Sequence, residues 1–238
     1  MIYRLDPDYL GFPDPEEANP DGLLAIGGDL SPQRLVNAYC QGIFPWPCEG
    51  EPLLWFSLDP RMVLRLDGQE GAEDGFRCSK SLRRTVRSGR FEVRIDTCFE
   101  EVMRHCAAVE RDGQEGTWIT PEMIEAYTLL HRLGLAHSFE TFRDGRLVGG
   151  LYGVSVGQMF CGESMFHLER DASKVAFVRL VDFCRAHGFK FIDAQQETAH
   201  LASLGARPMS RKDYLALLAT LDFSQTLMGK WSFFHDRT

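Results

Sequence analysis

The stretch that decides the fold is residues 149–166, GGLYGVSVGQMFCGESMF. Strand-forming side chains stand on both sides of Gly157 and Gln158, a pattern typical of a two-stranded hairpin. Glycine weakens the interior of a strand and requires a bulge or a close backbone approach to justify it. The interior glycines are Gly149, Gly150, Gly153 and Gly162.

Glu163 interrupts the apolar second half of this hairpin. Burying a carboxylate there is costly unless a cation or the ammonium group of a substrate lies against it. A glutamate paired within the core is the common explanation for a single residue of this kind. The glycines beside it favour a substrate cleft, so we keep both interpretations.

Length and composition exclude several protein classes. The chain has 238 residues, of which 44% are hydrophobic, enough to bury a core as one large domain or two smaller ones. Its acidic, proline-rich start lacks the basic flank and apolar segment of a secretory signal. No apolar run approaches the roughly 20 residues that span a bilayer. We therefore expect a cytoplasmic protein without a membrane partner.

The spacing of cysteine and histidine argues against a disulfide framework and against a metal. The seven cysteines are scattered without a Cys-x-x-Cys pair, and the seven histidines show no zinc-ligand spacing. Cys161 has no histidine partner in its local sequence, which favours a buried thiol over a nucleophile. No phosphate loop of the usual nucleotide-binding types occurs. We expect neither a metal nor a cofactor.

The first part of the chain predicts a small domain. Ser31 and Pro32 are typical of a helix start, and Gly42 of its end. The proline-rich aromatic segment that follows, residues 42–47, predicts irregular structure. We place a domain boundary near Arg61, with a small N-terminal α+β domain over residues 1–61.

The remaining residues, 62–238, predict a larger α+β domain. The hairpin is followed by a helix over residues 171–187 and a strand over residues 189–193. Hairpin, helix and strand in this order suit an acyltransferase. The junction at residues 167–171 lacks the glycine-rich loop that cradles the phosphates of coenzyme A, and its carboxylates would repel them.

A basic run begins at Arg77 and contrasts with the net charge of −8. At helical spacing, Lys80, Arg83, Arg84 and Arg87 lie on one face. Such a stripe is a candidate for phosphate contact, and a solvated helix face explains it equally well.

A second group of polar residues follows the strand that ends near Asp193. Asp193 and Gln195 are two residues apart, so on an extended segment both side chains point to one face. An aspartate beside an amide can orient the amide oxygen or hold an incoming amine. A solvated strand end is the alternative interpretation.

Five blocks of the sequence resemble the leucyl/phenylalanyl-tRNA protein transferase family. They are GLLAIGGDLS (22–31), GIFPW (42–46), EGTWIT (115–120), GESMF (162–166) and HLASLGA (200–206). The resemblance implies a small N-terminal domain followed by an N-acetyltransferase-like (GNAT-like) acyltransferase domain. It also implies transfer of Leu, Phe or Met from aminoacyl-tRNA to proteins with N-terminal Arg or Lys, which marks them for degradation under the N-end rule.

The resemblance further implies roles for individual residues. Asp193 and Gln195 match the proposed catalytic pair, and Glu163 a residue that holds the acceptor amine or the aminoacyl group. Trp46 and Trp118 match residues that contact the terminal adenosine. The implied pocket for the donor side chain consists of Leu151, Phe160, Met165, Leu180 and Ile192, with Tyr39 and Tyr127 near the same site.

The same resemblance places the acceptor stem of tRNA against the basic run. The residues concerned are Arg77, Lys80, Arg83, Arg84, Arg87 and Arg90. Two other functions remain open from the residues alone. A small-molecule N-acetyltransferase fits the element order, and a non-catalytic tRNA-binding protein fits the basic run.

Overall fold

The structure is a computed structural model that describes residues 2–6, 8–47, 50–67, 75–109 and 117–235. A small sheet comes from the N-terminal part of the chain. Its strands are β1 (Tyr3–Leu5), β2 (Leu23–Gly27), β3 (Phe44–Pro45) and β4 (Leu54–Phe56). Within the described residues they form a four-stranded sheet in the order β1-β2-β4-β3.

A larger sheet begins at Arg61. Its strands are β5 (Arg61–Arg65), β6 (Glu92–Ile95), β7 (Ala136–Arg143), β8 (Arg146–Val156), β9 (Met159–His167), β10 (Phe191–Gln195) and β11 (Arg207–Met209). In the part of the chain that the structure describes, seven strands follow the order β11-β5-β10-β9-β8-β7-β6. The predicted hairpin, β8 and β9, therefore lies in the middle, and β10 runs parallel to β9.

Helices cover both faces of the larger sheet. They are α1 (Pro32–Cys40), α2 (Lys80–Arg87), α3 (Phe99–Ala107), α4 (Pro121–Arg132), α5 (Ala172–Ala186), α6 (Ala199–Ser203), α7 (Arg211–Leu218) and α8 (Ser232–His235). Helices α3 and α4 share one hydrophobic cluster with the small sheet, and α5 belongs to a second cluster with α2 and Trp231. The α+β expectation with a small N-terminal domain is confirmed. The boundary near Arg61 stays a prediction.

The glycines of the hairpin are explained by close packing. A Cβ atom on Gly153 would lie 2.2 Å from the carbonyl oxygen of Cys161, and one on Gly149 would lie 2.6 Å from Cβ of Ala172. Neither distance is possible for a real side chain. The expectation of a close backbone approach is therefore confirmed at these positions.

Ser79, Thr120 and Ser210 are typical N-cap residues, and the sequence predicts a helix start at each of them. The side chains of Ser79, Thr120 and Ser210 each accept a hydrogen bond from a backbone N–H of their helices. The spacing of Thr97 and Glu100 also predicts a capping box at the start of α3. That prediction is wrong, because the Thr97 hydroxyl donates instead to Oε2 of Glu140, at 3.1 Å. The tertiary contact replaces the local one.

The segment predicted to be irregular after Gly42 contains a two-residue strand. Phe44 and Pro45 pair with Phe56 and Trp55 of β4. Pro45 can take part because β3 is an edge strand, where a missing N–H is tolerated. None of the helices that the structure describes combines the length and apolar character needed to cross a membrane.

Candidate functional site

A cavity of about 350 Å³ opens where the hairpin, β10 and α5 meet, and its volume lies in the range of small-molecule sites. One wall is apolar, formed by Phe44, Leu151, Met165, Phe177, Leu180 and Ile192. Two half-buried tryptophans, Trp46 and Trp118, form another part of the lining. Glu163 and Gln195 add polar groups.

Irregular strand pairing places these polar groups. Along β9 the register skips Glu163, because Ser164 pairs with Tyr152 and Gly162 pairs with Gly153. Along β10 a second irregularity lies between Asp193 and Gln195. β-Bulges re-aim side chains and are common beside active sites.

Glu163 is held by neutral hydrogen-bond donors. Tyr39 Oη donates to Oε1 at 2.8 Å, Gln195 Nε2 donates to the same oxygen at 2.9 Å, and Tyr127 Oη lies 3.4 Å from Oε2. The two phenol hydroxyls also hydrogen-bond each other. Burial raises the pKa of both phenols well above the ordinary range. They therefore remain protonated and able to donate.

The carboxyl of Glu163 is poised near neutrality. Glu163 is only 8% exposed to solvent. Burial raises its pKa to about 7, and the hydrogen bonds from Tyr39 and Gln195 oppose part of that rise. A carboxylate with such a pKa can accept and return a proton at physiological pH.

Asp193 does not line the cavity and forms a buried ion pair with Arg61. Arg61 donates from Nε to Oδ1 at 2.9 Å and from Nη2 to Oδ2 at 2.7 Å, and both residues are at most 1% exposed. Tyr214 Oη donates to Oδ2 at 2.8 Å. Burial alone lowers the pKa of Arg61, but the carboxylate of Asp193 outweighs it and the net shift is upward.

Asp193 also fixes the backbone of the next polar residue. Its Oδ1 accepts a hydrogen bond from the backbone N–H of Gln195 at 2.9 Å. Gln195 has a positive φ of 57°, a conformation that a non-glycine residue seldom adopts without such support. The aspartate therefore positions the amide that reaches Glu163.

The structure brings most of the predicted site residues to this cavity. Glu163, Gln195, Trp46, Trp118, Leu151, Met165, Leu180 and Ile192 line it. Tyr39 and Tyr127 lie behind Glu163 as its donors. Phe160 is not among the lining residues and packs in the second hydrophobic cluster, 5.8 Å between ring centroids from Trp231.

Several contributions to the site were not predicted from the sequence, among them those of Phe177 and Arg61. Phe177 lines the cavity, and its position one helical turn before Leu180 on α5 was the signal that could have indicated it. Arg61 gave no local signal, because its partner Asp193 is 132 residues away in the chain.

Most of the basic run forms helix α2, which packs against α5. Its predicted contact residues Arg77, Lys80, Arg83, Arg84, Arg87 and Arg90 are exposed. Arg90 forms an ion pair with Glu169 at 2.7 Å. The backbone N–H of Arg77 donates to the carbonyl of Leu204, directly after α6, which carries the cavity residues His200 and Leu201.

A separate cluster of potential metal ligands lies elsewhere. Among the described residues, Asp96, His131 and His137 bring ligand-type atoms within 4.8 Å of one another. Hydrogen bonds already engage these atoms, since Asp96 Oδ2 lies 2.9 Å from His137 Nδ1 and accepts from the Trp231 N–H at 2.8 Å, while His131 Nδ1 lies 2.8 Å from the Ala136 carbonyl. The cluster thus anchors the C-terminal segment.

Comparison with known proteins establishes the family. The model of the leucyl/phenylalanyl-tRNA protein transferase family matches residues 72–219, and that of the family's N-terminal domain matches residues 28–59. The chain belongs to the leucyl/phenylalanyl-tRNA protein transferase family.

Members of this transferase family resemble the chain over almost its whole length. Leucyl/phenylalanyl-tRNA–protein transferase of Desulfatibacillum aliphaticivorans is 55% identical, over 97% of this chain and 96% of that protein. The enzyme of the same name from Nitratidesulfovibrio vulgaris (strain DP4) is 53% identical over 97% and 95%. The chain is therefore an aminoacyltransferase, and the resemblance recognised in the sequence is confirmed.

A solved acetyltransferase shows a remote likeness to this transferase. An aminoglycoside acetyltransferase from a soil metagenomic sample matches with a TM-score of 0.35 and 15% identity, covering 46% of this chain and 80% of that chain.

Proposed function

We propose that the chain transfers leucine, phenylalanine or methionine from aminoacyl-tRNA to the α-amine of proteins that begin with Arg or Lys, in the cytoplasm. One observation carries the proposal. A carboxyl group with a pKa of about 7 and an amide stand together on the wall of an apolar cavity. The recipients would thereby be marked for degradation.

The apolar wall suits the donor side chain. Leu151, Leu180 and Ile192 offer no hydrogen-bonding side-chain group to a polar amino acid. An apolar pocket discriminates by only ~1–3 kcal/mol per methylene. We therefore expect tolerance among Leu, Phe and Met, and rejection of charged amino acids.

The tryptophans suit the terminal adenosine of the donor. Stacking of a base on an aromatic side chain contributes ~1–3 kcal/mol and does not depend on sequence. With Trp46 and Trp118 holding the base, the ester that links the amino acid to the ribose would lie near Glu163. Holding ester and amine together is worth ~7–11 kcal/mol in favourable geometries.

The chemistry is aminolysis of an ester. The amine nitrogen attacks the ester carbonyl carbon, a C–N bond forms, and the C–O bond to the tRNA ribose breaks. Glu163 accepts the proton of the amine, whose ordinary pKa is about 7.7–8.0, and returns it to the leaving oxygen. The products balance without an oxidant or an energy source.

Gln195 is proposed to orient the amine. Its Nε2 donates to Glu163, so its amide oxygen is the atom that can accept a hydrogen bond from the amine N–H. Asp193 is proposed to act indirectly, because it accepts a hydrogen bond from the backbone N–H of Gln195 and so positions that residue.

Helix α2 is proposed to contact the acceptor stem. Lys80, Arg83, Arg84 and Arg87 are exposed on a helix that packs against α5, the helix that carries the cavity residues Phe177 and Leu180. Replacing one cation that binds a phosphate should reduce the slope of log affinity against log salt by roughly 0.7–0.9.

The test is transfer of radiolabelled leucine from Leu-tRNA to a peptide that begins with Arg. Peptides with an acetylated N-terminal Arg or an N-terminal Ala are the matched controls. Label in the free Arg peptide alone supports the proposal. No transfer from Leu-, Phe- or Met-tRNA would contradict it and would favour the N-acetyltransferase alternative.

A further inference from the structure

Helix α6 carries a polar side chain that the proposed reaction does not use. His200 lies on α6 and lines the cavity together with Leu201. It is also the first residue of HLASLGA, one of the five blocks that indicated the family. The aminolysis chemistry assigned to Glu163 and Gln195 leaves His200 without a role.

The His200 residue is half-buried, and its Nε2 atom is buried without a hydrogen-bond partner among the described residues. Buried polar atoms are nearly always hydrogen-bonded, so an unpaired one in the lining of a cavity indicates a ligand group. Neighbouring polar side chains differ in this respect. Gln195 donates to Glu163 at 2.9 Å, and Thr198 accepts from the N–H of Leu201 at 3.2 Å.

Contacts at the end of α6 fix the helix against the start of the basic run. The carbonyl of Leu204, directly after α6, accepts from the backbone N–H of Arg77 at 2.8 Å. A Cβ atom on Gly205 would lie 2.1 Å from the carbonyl oxygen of Gly75, so the two segments touch. His200 is therefore presented by a helix that meets the cavity on one side and the basic run at its end.

The charges around the imidazole are positive. Burial lowers the pKa of His200, and the nearby charges of Lys174 on α5 and of protonated His167 at the end of β9 lower it further. The ring is therefore neutral at physiological pH, and one of its nitrogens carries a proton to donate. The same cations disfavour an ammonium group as the ligand and favour an oxygen with negative charge.

The terminal nucleotide of aminoacyl-tRNA supplies such oxygens. With its adenine on Trp46 and Trp118 and its ester near Glu163, the nucleotide would direct its ribose and 5′-phosphate toward the basic run. Helix α6 lies on that route, because its end adjoins Arg77. A protein acceptor instead brings an α-amine and a cationic side chain, which suit these surroundings poorly.

We propose that His200 donates a hydrogen bond from Nε2 to a sugar–phosphate oxygen of the terminal nucleotide and so positions the aminoacyl ester in the cavity. The proposal rests on the proposed function, which places that nucleotide against the tryptophans. His200 is a binding and positioning residue in this arrangement, while Glu163 handles the proton of the attacking amine.

Three substitutions test which ring nitrogen is required. His200→Gln places an amide N–H close to the position of Nε2, His200→Asn places one close to that of Nδ1, and His200→Ala removes both. His105→Ala is the matched control, because His105 is also half-buried but does not line the cavity. Urea unfolding of each variant shows whether it is folded under the assay conditions.

The probe is the leucyl amide of 3′-amino-3′-deoxyadenosine, a stable donor analogue, with and without a 5′-phosphate. Isothermal titration calorimetry measures its Kd. We expect His200→Ala and His200→Asn to weaken binding by about three- to tenfold, the effect of one hydrogen bond, and His200→Gln to stay close to wild type. A loss confined to the phosphorylated analogue identifies a phosphate oxygen, and an equal loss with both analogues identifies a ribose oxygen.

Transfer of leucine from Leu-tRNA to an Arg peptide separates this proposal from the proposed function. In His200→Ala, KM for Leu-tRNA should rise and KM for the peptide should stay unchanged. A wild type that transfers no leucine but binds the analogue through His200 would defeat the proposed function and keep this proposal. The proposal is overturned if the wild type does not bind the analogues, if His200→Ala binds them equally well, if His200→Gln is no better than His200→Ala, or if only KM for the peptide changes.

Discussion

Two carboxylates on neighbouring strands differ in what surrounds them. Asp193 on β10 is compensated by the full positive charge of Arg61 and by Tyr214. Glu163 on β9 has only neutral donors, and burial raises its pKa to about 7. Only Glu163 lines the cavity. We therefore propose structural support as the role of the ion-paired Asp193 and proton exchange as the role of Glu163.

The largest effect is expected at Glu163. Glu163→Gln keeps the size of the side chain and an oxygen that accepts from Tyr39, but it removes the proton acceptor. The rate of transfer should fall by roughly 10²–10⁴-fold, the usual contribution of general base catalysis. Single-turnover transfer to an Arg peptide measures it, with Glu101→Gln as control. A rate close to wild type would remove Glu163 from the chemistry.

Asp193→Asn should act on stability first. It leaves the buried Arg61 without its counter-charge, which costs roughly 3–5 kcal/mol of unfolding free energy. Urea unfolding measures this cost. Glu169→Gln is the matched control, because Glu169 also accepts two hydrogen bonds from arginine side chains but is more exposed, so its loss should change the unfolding free energy much less.

The pH dependence of the unfolding free energy further distinguishes Glu163 from Asp193. Since the pKa of Glu163 is about 7 in the folded protein and its ordinary value is 4.5, the folded state binds this proton more tightly. Its stabilising contribution is present below pH 4.5 and is lost as pH rises to about 7, a decrease of roughly 3 kcal/mol. Over the same rise the carboxylate forms and transfer should accelerate.

Urea unfolding from pH 4.5 to 8 tests this linkage in the wild type and in Glu163→Gln. The difference between the two proteins should grow across that window. Identical pH dependence would show that the carboxyl of Glu163 titrates at its ordinary value.

The smallest effect is expected at the phenols. Tyr39→Phe removes a 2.8 Å donor to Glu163 and should raise its pKa, moving the midpoint of the pH–rate profile upward by about 0.5–1 unit. Tyr127→Phe should move it less, because that hydroxyl lies 3.4 Å from the carboxylate. A larger shift of the midpoint in Tyr127→Phe than in Tyr39→Phe would contradict this expectation.

The local parts of the fold were predictable because their signals are local. Ser79, Thr120 and Ser210 each cap a helix within three residues of sequence, and Gly157 allows the tight hairpin turn through a positive φ of 56°. The capping box led by Thr97 failed since Glu140, 43 residues away, supplies a competing partner.

The site was predictable in its residue types and only partly in its geometry. The glycines and the buried Glu163 indicated a cleft, and the family resemblance supplied most of the lining. Phe160 was expected in the donor pocket, but its side chain packs against Trp231 instead. The position of the Phe160 side chain depends on how the C-terminal segment packs, which strand periodicity alone does not indicate.

The sequence by itself determined the hairpin, the helix caps and the family, because each depends on residue identity over a short range. Only the tertiary structure decided what Glu163 and Asp193 can do. Their difference depends on Arg61, Tyr39 and Tyr127, which come from distant parts of the chain. The free energy of a buried charge is set by the groups packed around it, so it becomes fixed only when the chain is folded.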